Sequence, residues 1–214
     1  MKIGIIGATG NAGRAIHAEA TRRGHDVTAV VRNPDRAREV LGADATVLTR
    51  DAFDLVVDDL RDFDVVVDAF ATAPEHAHLH VDLAARLVAM FRGVDAPRLV
   101  FILGAGSLTT GPDEHLALDD IRGVPGAEAW IAIPQSQLEE LRFLRDVDDV
   151  DWVAVSPSLT FVVGAATDYV LGRDELLVAP DGSSSVTSGT LAVALIDEIE
   201  NPAHVRTRFT VRDA

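Results

Sequence analysis

The sequence predicts an α/β fold in which one parallel sheet is wound in two directions and covered by helices on both faces. Short apolar runs alternate along the chain with longer segments whose apolar residues recur at helical spacing. The first five runs are of the kind that is buried on both faces of a parallel sheet. A glycine-rich stretch, residues 7–14, joins the first apolar run directly to the first helical segment.

The strands follow from the apolar runs. Because helical segments separate consecutive strands, each crossover returns a parallel strand to the same sheet, and the winding reverses after the third strand. This gives the Rossmann-type strand order 3-2-1-4-5-6, with a small extension on the substrate side. The six predicted strands are residues 2–6, 26–31, 45–49, 64–69, 98–103 and 151–155. Further strands are expected near 160–163 and 176–179 and at 206–212, with Pro180-Asp181-Gly182 as a turn.

The helices are predicted from their periodicity and end signals. Gly24 is expected to end the first helix, Pro34 and Pro134 to lie in first turns, and Ser188 to cap the last helix. The predicted helices or helical turns are residues 11–23, 34–41, 54–60, 75–92, 134–146 and 188–200.

Residues 104–129 are predicted to be irregular, because they are rich in glycine, proline and aspartate. Long loops of this kind are often lids or binding loops. Since no repeat, linker or low-complexity stretch interrupts the chain, we expect one domain over residues 1–214. Residues 156–187 are expected to contribute to its substrate side.

Composition excludes several classes of function. The formal net charge of −15 would repel nucleic acid, and the absence of cysteine excludes disulfides and thiolate chemistry. No apolar run approaches the roughly 20 residues that cross a bilayer. The chain begins with a core strand instead of a signal peptide, so we expect a cytoplasmic protein. Its expected partner is a small-molecule acceptor, with monomer and homodimer both left open.

The glycines at Gly7, Gly10 and Gly13 predict dinucleotide binding. The first lets the chain turn sharply after the strand, the second lets backbone approach a pyrophosphate, and the third lets helix and strand pack closely. The free N–H groups at the start of the helix then face the phosphate anion.

Arg32 indicates which nucleotide is bound. Domains that select NAD usually carry Asp or Glu at the end of the second strand, where this chain has Arg32. A guanidinium can hold a 2′-phosphate through paired charged hydrogen bonds, which favours NADP(H) over NAD(H). Arg36 and Arg38 could assist, although an exposed helix face explains them better.

Two further segments are expected beside the nucleotide. Asp51, just after the third strand, is placed to meet the adenine edge, and a turn-capping aspartate is an almost equally good interpretation. Ala69, Phe70 and Ala71, after the fourth strand, should run along the adenosine ribose and pyrophosphate.

Several colinear motifs resemble those of the NmrA-like atypical short-chain dehydrogenase/reductase family. They are MKIGIIGATGNAGR, VVRNPDR, RDAFD, VSPS, and DELL followed by DG, and together they cover nearly the whole chain. The branch with the greatest similarity is the one named NADH-flavin reductases, which is also similar to biliverdin/flavin reductases. The resemblance implies a Rossmann fold, NADP(H) binding, and reduction of a flavin such as FMN or of a quinone.

By matched position, the resemblance also implies roles for individual residues. It places Gly7, Thr9, Gly10, Asn11 and Ala12 at the pyrophosphate. It places the segment after the fifth strand, with Gly104 and Ser107, and the VSPS residues Pro157 and Ser158, near the nicotinamide. Ser107 is the one catalytic residue that we predict, as a hydrogen-bond donor beside the nicotinamide or the acceptor ring; a turn serine is an equally good interpretation.

The chain departs from carbonyl-reducing dehydrogenases, which use a Tyr-x-x-x-Lys pair to protonate an alkoxide. Its one tyrosine, Tyr169, and its one lysine, Lys2, cannot form that motif. Alcohol dehydrogenase and sugar epimerase activities are therefore not expected.

Flavin or quinone reduction needs no such pair, because the charge is delocalised over the ring and water can supply the proton. The same absence is compatible with a non-catalytic NADP(H) sensor that binds a partner protein. An isomerase or dehydratase with tightly held cofactor lacks a visible general base.

The remaining candidates are weighed against ordinary structural roles. His76 and His80 have a spacing that can bind metal, but without a third ligand they are expected to be exposed, although His80 could meet a substrate. No metal site is therefore predicted. The segment 113–115 is expected to be solvated, with substrate contact as the alternative. Trp130 and Phe161 could stack on a flavin, whereas Trp152 is expected in the core.

Overall fold

The computed structural model describes residues 1–214 and contains twelve strands and seven α-helices. The strands are β1 (Lys2–Ile6), β2 (Asp26–Val31), β3 (Thr46–Thr49), β4 (Val65–Asp68), β5 (Arg98–Ile102), β6 (Thr109–Thr110), β7 (His115–Leu116), β8 (Trp152–Pro157), β9 (Thr160–Val162), β10 (Tyr169–Gly172), β11 (Ser185–Thr187) and β12 (Thr207–Asp213). The helices are α1 (Asn11–Arg22), α2 (Pro34–Leu41), α3 (Val57–Leu60), α4 (Leu79–Phe91), α5 (Ala117–Arg122), α6 (Ala132–Arg145) and α7 (Ser188–Glu200).

The main sheet has eight strands in the order β3-β2-β1-β4-β5-β8-β12-β10. All neighbours in it are parallel except β10 and β12, which are antiparallel. Because β8 is the sixth predicted strand, the predicted α/β class and the order 3-2-1-4-5-6 are confirmed. The sheet then continues through β12 and β10, which form the C-terminal extension.

The two faces of the sheet are covered by different helices, as the alternation of strand side chains requires. Ile3 and Ile5 point to the face that α1 and α7 cover, and share one buried cluster with Ile16 and Leu195. Ile6 points to the opposite face, with α4 and α6, in a second buried cluster. None of the helices combines the length and the apolar character that crossing a lipid bilayer requires.

Two predictions outside the main sheet were wrong. Residues 104–129 are not irregular throughout, because they contain the hairpin of β6 and β7 followed by α5. No strand forms at 176–179; the strands in that part of the chain are β10 and β11. Strand β10 pairs with β12, and β11 pairs with β9. Because each partner lies far away in sequence, the local alternation of apolar and polar residues predicts these two strands poorly.

Candidate functional site

The glycine turn after β1 is held in close contact with the end of β4. Gly7 has φ +74°, a conformation that side chains rarely adopt, and a Cβ there would overlap the carbonyl oxygen of Ala69. A Cβ at Gly13 would overlap the carbonyl oxygen of Gly7. These two glycines therefore let β1, α1 and β4 meet at the edge of the sheet where the winding reverses.

The N-terminus of α1 opens at this edge. Gly10 is its N-cap, and no side chain caps the helix there. The first turn carries no acidic residue, so nothing opposes an anion at the positive end of the helix. With its N–H groups free and no Cβ at Gly10, this end of α1 fits a pyrophosphate.

Two cavities meet over this turn. We call the cavity of about 810 Å³ on the β2 and β3 side the basic cavity, since Arg32, Arg36 and Arg50 lie in its wall. We call the cavity of about 630 Å³ on the β5 and β8 side the apolar cavity, since most of its wall is apolar. Both share Gly10 and residues 69–72, so together they form one cleft across the ends of β1 and β4.

Most predicted site residues line this cleft, and the cleft lies where the strand order predicts the ligand. Those in the wall of the basic cavity are Gly7, Thr9, Gly10, Arg32, Asp51, Ala69, Phe70 and Ala71. Those in the wall of the apolar cavity are Gly10, Asn11, Ala12, Ala69, Phe70, Ala71, Gly104, Pro157 and Ser158. The structure thus brings together residues from the first strand to the end of β8, while their contacts with a nucleotide stay predictions.

Arg32 is the least paired cation of the basic cavity. Its side chain is 82% exposed, and its nearest acidic atom is Oδ2 of Asp51 at 4.0 Å. Arg36 pairs with Glu39 at 2.8 Å and Arg50 with Asp59 at 3.2 Å. The Arg32 guanidinium can therefore receive a phosphate without breaking a close ion pair.

Sequence reasoning missed Arg50, although a signal for it existed. Arg50 follows β3 directly, and its backbone N–H donates to the carbonyl oxygen of Val31 at the end of β2. Because parallel neighbours end at the same edge of a sheet, a basic residue after β3 is expected near one after β2.

Asp51 caps a turn, which is one of the two roles that the sequence left open, and its contact with adenine stays a prediction. Its Oδ1 accepts a hydrogen bond of 2.9 Å from the N–H of Phe53 and so caps the short turn at residues 52–54. The residue also lines the basic cavity. The cap fixes its side chain at the place where an adenine edge is expected.

The apolar cavity is bordered by flat side chains. Phe70, Trp130 and Phe161 lie in its wall, and Trp130 is 40% exposed, whereas Trp152 is fully buried in the core as predicted. Few polar groups face the cavity, and the hydroxyl of Ser158 donates to the carbonyl oxygen of Val211 at 2.9 Å. The cavity suits a flat apolar ring better than a hydroxylated sugar.

Ser107 does not lie in the wall of the apolar cavity. It is 5% exposed, donates to the carbonyl oxygen of Gly104 at 3.2 Å, and accepts from Nη1 of Arg208 at 3.2 Å. The turn at residues 105–107 folds the side chain inward, onto a buried arginine from β12. This position argues against the predicted role as a donor to the ring and favours the alternative of a turn serine.

His80 was expected to be exposed, and the structure corrects this. It is 5% exposed and lines the apolar cavity, with its ring centroid 5.5 Å from that of Phe70. His76 is exposed and packs its ring against His78 instead. No three histidine, aspartate or glutamate side chains come close enough together to hold a metal ion.

The other candidates lie away from the cleft. Asp113 and Glu114 are exposed, and Asp113 bonds His115 at 2.7 Å within the loop itself. The hydroxyl of Tyr169 donates to Asp197 at 2.6 Å, and Lys2 begins β1 at the opposite edge of the sheet. The tyrosine and the lysine therefore do not form a carbonyl-reducing pair.

Comparison with known proteins agrees with the geometry of the cleft. A family model described as NAD(P)H-binding matches residues 7–202. The uncharacterised protein YwnB of Bacillus subtilis is 38% identical over 213 residues, which are 99% of this chain and 98% of YwnB. A solved structure from Lactobacillus casei is 42% identical, covers both chains completely and has a TM-score of 0.92. Another, from Streptococcus pneumoniae, named as a candidate NADH-flavin reductase, is 31% identical over both whole chains with a TM-score of 0.89.

Proposed function

The chain belongs to this NAD(P)H-binding family, and on that premise we propose that it takes hydride from NADPH and delivers it to a flat, electron-poor acceptor, such as a flavin or a quinone. One observation carries the proposal. A cleft suited to a dinucleotide continues into an apolar cavity with aromatic walls, and neither Tyr169 nor Lys2 lies in that wall. The name of the relative from Streptococcus pneumoniae supports the same class of reaction.

The cofactor would be held by backbone and one cation. The N–H groups at the start of α1 would bind the pyrophosphate, and Arg32 would bind the 2′-phosphate. When bound, the nicotinamide supplies the hydride. The side chains of the apolar cavity then have to orient the acceptor and exclude water, which is how a reaction without a carbonyl-reducing pair is accelerated.

Replacing Arg32 with aspartate should shift cofactor preference from NADPH towards NADH. Hydrogen bonds to charged groups contribute about 1.5–3 kcal/mol, so the ratio of NADPH to NADH affinity should fall by about 10- to 100-fold. The ratio is measured by fluorescence titration with both dinucleotides. Arg38→Asp is the matched control, because Arg38 is exposed like Arg32 but lies on α2 and does not line the basic cavity. An unchanged ratio in Arg32→Asp would remove the basis for NADP selectivity.

The activity itself is tested by following NADPH absorbance with FMN, riboflavin and a small quinone supplied in turn. We expect turnover with at least one of these acceptors and faster turnover with NADPH than with NADH. Oxidation no faster than in buffer would contradict the proposal. If NADPH still binds while nothing is reduced, the result favours the alternative, a non-catalytic NADP(H)-binding regulator that contacts a partner protein.

A further inference from the structure

Three ionisable side chains are buried together beside the apolar cavity. His80 comes from α4, Glu140 from α6 and Asp68 from the end of β4, and they are 5%, 2% and 6% exposed. Only His80 lies in the cavity wall. Ionisable groups are rarely buried in this way unless they are paired or have a function.

Two polar atoms of this cluster have no hydrogen-bond partner. Neither Nε2 of His80 nor Oε2 of Glu140 has a hydrogen-bond partner, and Nδ1 of His80 lies 3.9 Å from Oε2 of Glu140. Asp68 is used locally, since its Oδ1 accepts from the N–H of Phe70 at 2.9 Å. A buried polar group without a partner costs about 1–3 kcal/mol, so apolar residues would make this contact between α4 and α6 more stable.

Burial also sets the charge of the cluster near neutral pH. It raises the pKa of Glu140 well above the usual carboxyl range, and the neighbouring Asp68 raises it further. Burial raises the pKa of Asp68 to about 7, an effect opposed by the N–H of Phe70, and lowers the pKa of His80 to about 4. Glu140 therefore keeps its proton, beside a neutral imidazole that borders the cavity.

We propose that His80 passes to the acceptor the proton that accompanies hydride transfer and that Glu140 supplies it; this inference rests on the proposed function. The acceptor gains two electrons and one proton as hydride from NADPH. Because Nε2 of His80 is buried, the second proton moves through Nδ1, which takes the carboxyl proton of Glu140 and, as part of an imidazolium, gives it to the reduced ring. Glu140 is left as a carboxylate and regains a proton from water. His80 is the proton donor, and Glu140 and Asp68 act through it.

The test compares Glu140→Gln and His80→Gln with wild type in kcat, KM, pH profile and NADPH affinity. Both variants should bind NADPH within about twofold of wild type, because the N-terminus of α1 and Arg32 are unchanged. General acids contribute about 100-fold or more to rates, but water can replace part of this, so we expect kcat to fall by about tenfold with little change in KM. The wild-type kcat should decline at alkaline pH as Glu140 loses its proton, and this decline should be absent in Glu140→Gln.

Glu139→Gln is the matched control. Glu139 is the next residue of α6, half exposed and paired with Arg142, so its variant should keep the wild-type kcat and pH profile. A readout independent of activity is the infrared C=O band of a protonated carboxyl at pH 7. It should be present in wild type and Glu139→Gln and reduced in Glu140→Gln.

The outcomes separate this inference from the proposed function. Normal turnover in Glu140→Gln with the wild-type pH profile, or no difference in the carboxyl band, overturns the role of the cluster and leaves the reductase proposal intact. A wild-type protein that reduces no acceptor overturns both. A uniform loss of NADPH affinity in both variants would indicate a structural role and would also overturn the inference.

Discussion

Replacing Gly10 with aspartate should lower NADPH affinity by about 100-fold or more without unfolding the protein. Gly10 is the N-cap of α1 with φ −76° and ψ 173°, a conformation in which aspartate is among the favoured residues. The nearest atom to a new Cβ would be the carbonyl oxygen of Gly7 at 3.3 Å, so the strain is small. The carboxylate would, however, occupy the positive end of the helix. Two like charges 4 Å apart repel by about 4 kcal/mol at an effective dielectric constant of 20, enough for a loss of that size.

Gly10→Asn is the control for this variant, because it has the same bulk and capping geometry but no charge. It should lose less affinity than Gly10→Asp, and both should unfold within about 1 kcal/mol of wild type. Affinity is measured by fluorescence titration and stability by denaturant unfolding. Equal NADPH affinity in Gly10→Asp and wild type would mean that the pyrophosphate does not bind at α1.

Replacing Glu198 with alanine should lower the free energy of unfolding by about 3–5 kcal/mol, which is typical when one partner of a buried ion pair is removed. Glu198, on α7, accepts from Nη2 of Arg98 at 2.9 Å and from Nδ1 of His204 at 2.8 Å. The N–H groups of Ala203 and His204 also donate to it. The substitution removes the closer carboxylate of the buried Arg98 and leaves only that of Asp151, whose Oδ1 lies 3.5 Å from Nε, at the edge of the sheet away from the cleft.

The effect of Glu198→Ala should depend on pH. Burial alone would raise the pKa of Glu198, but hydrogen bonds from His204 and Arg98 hold it below the usual carboxyl range. A depressed pKa means that the folded state binds fewer protons than the unfolded chain, so the contribution is complete above the usual carboxyl range and lost on acidification. Asp119→Ala, which removes an exposed pair with Arg122, should cost less than about 1 kcal/mol and serves as control. A loss from Glu198→Ala no larger than this control would contradict the argument.

The central sheet could be predicted because its signals are local. The apolar run at residues 26–31 is enough to predict a strand, and the glycine spacing at positions 7, 10 and 13 is enough to predict the turn. The strand order then follows from the way in which helices connect parallel strands. The position of Arg32 could be predicted for the same reason, because it directly follows the strand β2. Arg50 needed one further step, the recognition that β2 and β3 end together.

The parts that escaped prediction depend on distant partners. Ser107 turns inward because it meets Arg208, which lies about a hundred residues further along the chain. His80 could not be judged buried from α4 alone, because Phe70 and Glu140 are what cover it. Glu140 carried no clear signal either. Ser136 and Gln137 precede it by one turn on the same face of α6, so periodicity alone predicts a solvated carboxylate there.

We expect the two cavities to be the two ends of one dinucleotide site, and a crystal structure of the protein with NADP⁺ is the decisive measurement. We expect the 2′-phosphate at Arg32 in the basic cavity, the pyrophosphate at the N-terminus of α1, and the nicotinamide in the apolar cavity beside Phe70 and His80. A nicotinamide outside the apolar cavity, or a 2′-phosphate that does not touch Arg32, would contradict it.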